Sequence, residues 1–198
     1  MTMSEMGRII LNQDGLVRYF DDVINNNDAT YYLNYFVDNI EWTHDKVFLF
    51  GKHHTTKRKV AWYADSAIEY TYSNTKKVAL PWTEGLLRLK KTIEKKTAYS
   101  YNSCLLNLYH NGGEGMGWHS DNESKLKKNG AIASVSFGAV RKFHFKHKKT
   151  KDKISIDLQP GSLLLMEKET QQYWHHQLPI SKKIKNLRVN LTFRTIDE

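Results

Sequence analysis

At 198 residues the chain has the length of one domain, and with 40% hydrophobic and 26% charged residues it can build a core, which excludes a disordered chain. Eleven Gly and only three Pro argue against linkers or low-complexity tails. Thirty Lys plus Arg against 21 Asp plus Glu leave a net charge of +9, an excess that points to a polyanionic partner, most often nucleic acid and sometimes an anionic membrane. The lone cysteine, Cys104, cannot form an internal disulfide, which favours a reducing compartment. The segment 1–15 carries Glu5, Arg8 and Asp14 and no apolar run of signal-peptide length, and no stretch approaches the ~20 apolar residues of a membrane span. The expectation is a soluble monomer with no membrane partner, cytoplasmic, or nuclear in a eukaryote.

In chain order, Asp28 is placed as the cap of a helix whose apolar positions Tyr32, Leu33, Phe36, Val37 and Ile40 recur at helical spacing. The run Val47-Phe48-Leu49-Phe50-Gly51-Lys52 reads as a hairpin arm with an apolar tip, followed by Lys52, His53, His54, Lys57, Arg58 and Lys59; the alternation of Phe48 and Phe50 fits a core strand equally well. Tyr70-Thr71-Tyr72-Ser73 puts two tyrosines on one side of a strand. A second helix is predicted over 83–96, with Thr83 as N-cap, Leu86, Leu89 and Ile93 on one face, and Arg88, Lys90, Lys91, Lys95 and Lys96 on the other. From Ser103 the texture changes to short β-type runs at 103–110, 131–138, 140–146, 153–158, 161–167, 171–176 and 187–195, punctuated by Asn111-Gly112-Gly113, Gly138, Gly161 and Pro179. This predicts an α+β, mainly β fold, a sandwich or jelly roll with supporting N-terminal helices, forming a single domain over 1–198. Its N-terminal part is expected over about 1–98 and its β core over about 99–198.

Strand phase carries the first chemical clue. Leu187, Val189, Leu191 and Phe193 point one way, and Arg188, Asn190, Thr192 and Arg194 the other; Cys104, Leu106 and Leu108 likewise oppose Asn107 and Tyr109. Between these runs lies Gly117-Trp118-His119-Ser120-Asp121, with an imidazole and a carboxylate at i and i+2, on one face of an extended backbone. A second histidine arrives in Tyr173-Trp174-His175-His176-Gln177-Leu178-Pro179. Two His and one carboxylate, leaving open positions on the ion, describe the facial triad of non-haem Fe(II) oxygenases. A zinc hydrolase or a cupin uses similar His-rich barrels. Arg188 and Arg194 inside a barrel need an anion, and a dicarboxylate would supply one by bidentate pairing.

The runs Leu106-Asn107-Leu108-Tyr109, Trp118-His119-Ser120-Asp121, Ile132 to Gly138, Pro160-Gly161-Ser162-Leu163-Leu164 and Leu187-Arg188-Val189-Asn190-Leu191-Thr192-Phe193-Arg194 resemble the AlkB family of Fe(II)/2-oxoglutarate dioxygenases, most closely its double-stranded-DNA-repairing branch. The Arg-x-Asn-x-x-x-Arg strand is the most specific element. The likeness is dense from about residue 99, looser back to about Val47, and slight before that. It implies a double-stranded β-helix (jelly roll) with Fe(II) held by His119, Asp121 and His176. His175 is the rival third ligand; alternation sends 175 and 176 to opposite faces, and the family pattern of His, one residue, Leu-Pro selects His176. It implies 2-oxoglutarate held by Asn107, Tyr109, Arg188, Asn190, Thr192 and Arg194, with Arg188 on the distal carboxylate and Arg194 nearer the iron, and O2 as oxidant. The implied reaction is oxidative demethylation of bases of the 1-methyladenine and 3-methylcytosine type in DNA, or in RNA by the same chemistry, with release of succinate and formaldehyde. A barrel that binds nucleic acid without turnover is the contrasting reading, opposed by the intact ligand and arginine set.

A methyl on a Watson–Crick nitrogen is hidden in a duplex, so the base must be flipped out or already single-stranded. The resemblance then gives Tyr72 to stacking on the flipped base and Tyr70 to the entrance, though two such tyrosines also fit a wall of the core; Asn122 and Glu123, adjacent to the metal ligands, are candidates for the base edge or solvated turn residues. Phe50 with Gly51 matches a finger that fills the vacated space, with Lys52 and Arg58 in the basic run beside it. A second basic run, Arg141 to Lys153, holds seven Lys and Arg and is expected to be solvated or to track phosphates.

Overall fold

A computed structural model of the chain describes residues 6–49, 51–67, 69–72 and 75–197. In chain order its elements are β1 (Arg8–Leu11), β2 (Leu16–Phe20), α1 (Asn26–Asn39), β3 (Thr43–Leu49), β4 (Lys52–Ala64), β5 (Glu69–Tyr72), β6 (Thr75–Val78), β7 (Leu80–Pro81) and α2 (Glu84–Thr97), all in the first half. The second half contributes β8 (Ser103–Tyr109), β9 (Met116–His119), β10 (Ile132–Gly138), β11 (Arg141–His147), β12 (Lys153–Leu158), β13 (Leu163–Glu167), the short α3 (Thr170–Tyr173), β14 (Trp174–Leu178) and β15 (Arg188–Arg194). The larger sheet runs β1-β2-β13-β10-β15-β8-β4-β3, with β7 added to β4, and the smaller runs β12-β11-β14-β9. Four antiparallel strands of each, β13-β10-β15-β8 against β12-β11-β14-β9, make the jelly roll that the strand pattern predicts.

The alternation in β15 and β8 is resolved by burial. Val189, Leu191, Phe193, Cys104 and Leu106 are fully buried on the outer face of the larger sheet, where they pack with Phe36 of α1 and Leu86, Leu89 and Ile93 of α2. Both helices earn their place through that apolar stripe, since short helices are marginal without tertiary packing. A second apolar cluster, including Val17, Tyr19, Phe145, Leu158, Leu164 and Trp174, fills one end of the space between the sheets. The other end is lined by polar side chains.

Several expectations are corrected. The first helix is capped by Asn25, whose side chain accepts from the Asp28 backbone N–H at 3.0 Å; Asp28 sits in the first turn and takes a hydrogen bond back from the Asn25 amide at 2.7 Å. The run 171–176 is not one strand: a helical turn, Thr170–Tyr173, precedes β14. Strands of the first half extend the larger sheet, β2 pairing with β13 and β4 with β8. The second helix is as expected, with the Thr83 hydroxyl accepting from Leu86 N–H at 3.3 Å. No helix among the described residues is long and apolar enough to cross a membrane.

Gly161 ties three parts of the fold together in the turn before β13. Its N–H donates to Ser136 O at 2.8 Å, and its carbonyl accepts from the N–H groups of Val23 and Ile24 at 3.2 and 3.1 Å. Its φ is +74°, and a Cβ there would run into the Ile24 carbonyl. Gly161→Ala is therefore expected to destabilise the fold by roughly 2 kcal/mol or more, read as a lowered thermal midpoint; an unchanged midpoint would refute this account of the turn.

Candidate metal centre and anion site

The smaller sheet positions the histidines. His119 of β9 lies opposite His176 of β14, and a bulge between this pair and Met116–Leu178 gives β9 an extra residue. That bulge turns Met116 and His119, three positions apart, toward the same cavity, and leaves Trp118 on the outer face against the Lys146 ammonium. The chain leaves β9 to place Asp121 beside them, its backbone N–H fixed by Gln171 Oε1 of α3 at 2.9 Å.

Nε2 of His119 and Nε2 of His176 are 3.1 Å apart, and each is 3.7 and 3.8 Å respectively from Asp121 Oδ1. Three ligand atoms about 2.1 Å from one ion, at right angles, stand about 3 Å apart, so this geometry suits one face of an octahedron. The Gly117 carbonyl accepts from His119 Nδ1 at 2.8 Å, which fixes the tautomer with the Nε2 lone pair toward the ion. Burial pushes the His176 imidazole down to about 3, so it is neutral and ready to ligate. Burial pushes the Asp121 carboxyl up, but the Arg194 guanidinium, 2.6 Å from Oδ2, and the two imidazoles outweigh it and hold the group below its ordinary value. Among the described residues, His119, Asp121 and His176 form a group able to hold a metal ion. His175 leaves the opposite face of β14 and meets the Ser120 hydroxyl at 3.1 Å.

The polar end of the larger sheet carries Ser134, Ser136, Asn107, Tyr109, Arg188, Asn190, Thr192 and Arg194, all buried except the partly exposed Arg194. Arg188 is 2% exposed; its Nη2 donates to Ser136 Oγ at 2.9 Å, its guanidinium faces the Tyr109 ring at 5.5 Å, and its buried Nε has no hydrogen-bond partner among the described residues. Burial pushes it down to about 10. Arg141, expected in a solvated run, is also buried, but its guanidinium is taken up by the carbonyls of Asn111, Glu114 and Pro179. Arg188 has no such set, so the donors around it suit a carboxylate. Asn190 is used within the sheet: its amide donates to Ser134 Oγ and Val135 O at 2.9 Å each, and its oxygen accepts from Thr192 at 3.3 Å.

A cavity of about 340 Å³ opens over the triad, lined by His119, Asp121, Arg194 and Glu123 together with Asp45, Arg58, Val60, Trp62 and Met116. Glu123 Oε2 is buried there without a hydrogen-bond partner among the described residues. Asn122 is exposed and borders a second cavity of about 400 Å³ instead. Arg58, expected in the exposed basic arm, is 6% exposed and paired with Asp45. Gly51 forms the turn between β3 and β4 with φ +76° and open space around it, and Lys52 is exposed beside it. Phe50 and the side chains of Tyr70 and Tyr72 lie outside the described residues; β5 pairs with β6, whose last residue, Val78, borders the cavity. Sequence reasoning missed Asp45, Trp62, Met116 and Gln171. It also missed Ser134 and Ser136, two hydroxyls at i and i+2 in an otherwise apolar strand, which is a readable signal.

The profile of the 2OG-Fe(II) oxygenase superfamily matches residues 16–194, and the chain belongs to that superfamily. Within it the resemblance is to AlkB homologues. The chain is 40% identical over 159 residues to DNA oxidative demethylase ALKBH2 of Mus musculus, covering 76% of this chain and 66% of that protein. It is 40% identical over 149 residues to alpha-ketoglutarate-dependent dioxygenase alkB homolog 3 of Bos taurus, covering 70% of this chain and 51% of that one. A solved structure of OsALKBH1 shares the fold, with a TM-score of 0.66 at 14% identity over 95% of this chain and 100% of that one. The chain thus spans just under two thirds of one curated relative and about half of the other.

The superfamily's cofactors are Fe(II), 2-oxoglutarate and O2, and the triad and the buried guanidinium fit the first two. Anaerobic calorimetry with Mn(II) checks the ligand assignment. His119→Ala, Asp121→Ala and His176→Ala are each expected to weaken binding by about a hundredfold or more, while His175→Ala binds as the parent does. Equal loss in the His175 variant would overturn the choice of third ligand.

Proposed function

We propose that this protein is an Fe(II)/2-oxoglutarate-dependent dioxygenase that demethylates bases of the 1-methyladenine and 3-methylcytosine type in DNA. The observation that carries the reading is the His119, Asp121, His176 triad, two members of which line a cavity, with the uncompensated guanidinium of Arg188 buried on the inner face of the larger sheet. The relatives described as a DNA oxidative demethylase and an alpha-ketoglutarate-dependent dioxygenase support it, as does the +9 charge. The whole chain acts as one catalytic domain, in the compartment that holds DNA: the cytoplasm, or the nucleus of a eukaryote.

Bound iron with 2-oxoglutarate and O2 would supply the oxidation: one oxygen atom would go to the N-methyl carbon, which leaves as formaldehyde, and the other to the keto acid, which loses CO2 and leaves as succinate. The chain's part is placement. His119, Asp121 and His176 would hold the ion and leave positions on it for cosubstrate and oxidant. Arg188 binds the distal carboxylate of 2-oxoglutarate, with Tyr109 against its guanidinium. Arg194 holds Asp121 in its ligating pose at the iron end, Asn107 donates to the cosubstrate, and that wall is braced by Asn190, which bonds Ser134, and by Thr192, which donates to Asn190. The cavity accepts a flipped base, with Glu123 accepting from its exocyclic amine; Tyr70, Tyr72, Phe50, Gly51, Lys52 and Asn122 contact the nucleic acid around it.

Two measurements test this. The Fe(II)-loaded protein is expected to release succinate and formaldehyde with 1-methyladenine oligonucleotides, compared as single- and double-stranded DNA and RNA. No product with any of them overturns the activity, and turnover of RNA alone moves the substrate. Arg188→Met is expected to raise the KM for 2-oxoglutarate by roughly thirtyfold or more, since losing one partner of a buried charge pair costs about 2–5 kcal/mol. An unchanged KM would remove Arg188 from the cosubstrate site.

A further inference from the structure

The cavity wall holds a buried ion pair that the chemistry above does not use. Asp45 and Arg58 are 3% and 6% exposed, and Arg58 Nη2 lies 2.7 Å from Asp45 Oδ2. Its other terminal nitrogen, Nη1, donates to Asn107 Oδ1 at 2.7 Å and approaches Met116 Sδ at 3.9 Å. The backbone is built to aim these groups inward. Between the pairs His44–Lys59 and Lys46–Thr55, β3 has one residue, Asp45, and β4 has Thr56, Lys57 and Arg58. The loop of extra chain is closed by Thr56 O on His44 Nδ1 at 2.9 Å and by the Thr56 hydroxyl on Arg58 O at 2.7 Å. Alternation along β4 puts Arg58 on the face of Val60 and Trp62, which line the same cavity, and the extra residues leave it beside Asp45.

A guanidinium has only donors. The amide of Asn107 must therefore turn its oxygen to Arg58, which leaves its NH2 for an acceptor on the inner face of the sheet, the face shared with Arg188 and Arg194. Without Arg58, the amide can flip and offer oxygen to an anion, which repels it. A buried arginine in turn requires a counter-charge, and Asp45 provides it.

We propose that Asp45 is a positioning residue for the cosubstrate: it holds Arg58 in the wall, and Arg58 fixes the Asn107 amide with its donors toward 2-oxoglutarate. The inference rests on the cosubstrate reading above. It couples the base cavity to the anion site through one side chain, because Asp45 and Arg58 line the former and Asn107 faces the latter.

The test is calorimetry of 2-oxoglutarate on the Mn(II)-loaded full chain, with Mn(II) affinity and thermal midpoint measured on each variant. Asp45→Asn is expected to weaken 2-oxoglutarate about tenfold while leaving Mn(II) affinity unchanged, and Asp45→Glu to restore most of the loss. Should Asp45→Asn fail to fold, the double variant Asp45→Leu, Arg58→Met replaces the pair with apolar groups, a change that buried pairs often tolerate. It too should bind 2-oxoglutarate about tenfold more weakly at unchanged Mn(II) affinity. Parent-like 2-oxoglutarate affinity in either folded variant overturns the proposal, as does a parallel loss of metal, which would mean a general loosening. Absence of 2-oxoglutarate binding by the parent would instead overturn the cosubstrate reading itself.

Discussion

A guanidinium sealed inside a protein costs several kcal/mol unless an anion meets it, and the interior of this sandwich is arranged around that constraint at Arg188. The residue stands on the central strand of the larger sheet, next to β10 and β8 on either side, so it cannot swing to solvent without breaking the sheet. Its neighbours, Ser136 and the Tyr109 ring, soften the cost without cancelling the charge. Arg141 provides an internal control, since it is equally buried but binds three backbone carbonyls and staples the 111–114 and 179 segments. One arginine has a structural task that consumes its donors. The other spends one on a hydroxyl and has a buried Nε without a hydrogen-bond partner among the described residues.

The same economy divides the space between the sheets. Where Phe145, Leu158, Leu164 and Trp174 meet, the two layers close on an apolar plug. Where Arg188, Asn190, Thr192 and Arg194 line the inner face, each buried polar group needs a partner: Asn190 and Thr192 find theirs within the sheet, and Arg194 bonds Asp121. Arg194 then joins the two chemistries by bonding Asp121, so the strand that offers donors to an anion also steadies a metal ligand.

Much of this is legible in the sequence because period-2 alternation is a strict rule once a face is buried. Leu187, Val189, Leu191 and Phe193 against Arg188, Asn190, Thr192 and Arg194 gave the sheet two different faces, and the spacing of His119 and Asp121 gave the metal site. The elements that were misplaced lie where alternation does not operate. The Asn25 cap was hidden by a string of Asn and Asp residues any of which can cap, and α3 was hidden by a Gln-rich turn of only four residues. The pairing of β2 with β13 joins residues far apart in the chain, which no local pattern reports.

The most consequential omissions share one cause. Met116 and Asp45 both sit at bulges, where the count of residues on paired strands differs and the alternation changes phase. Read at period 2, Met116 and His119 should face opposite ways, and the bulge in β9 brings both to the cavity; Arg58, in phase with Val60 and Trp62, was hidden instead by the lysines on either side of it. A regular ladder would give a polar interior without the convergence of ligands and wall residues on one point, so the irregular positions, which a pattern-based reading must miss, are the ones that turn a two-faced sheet into a site.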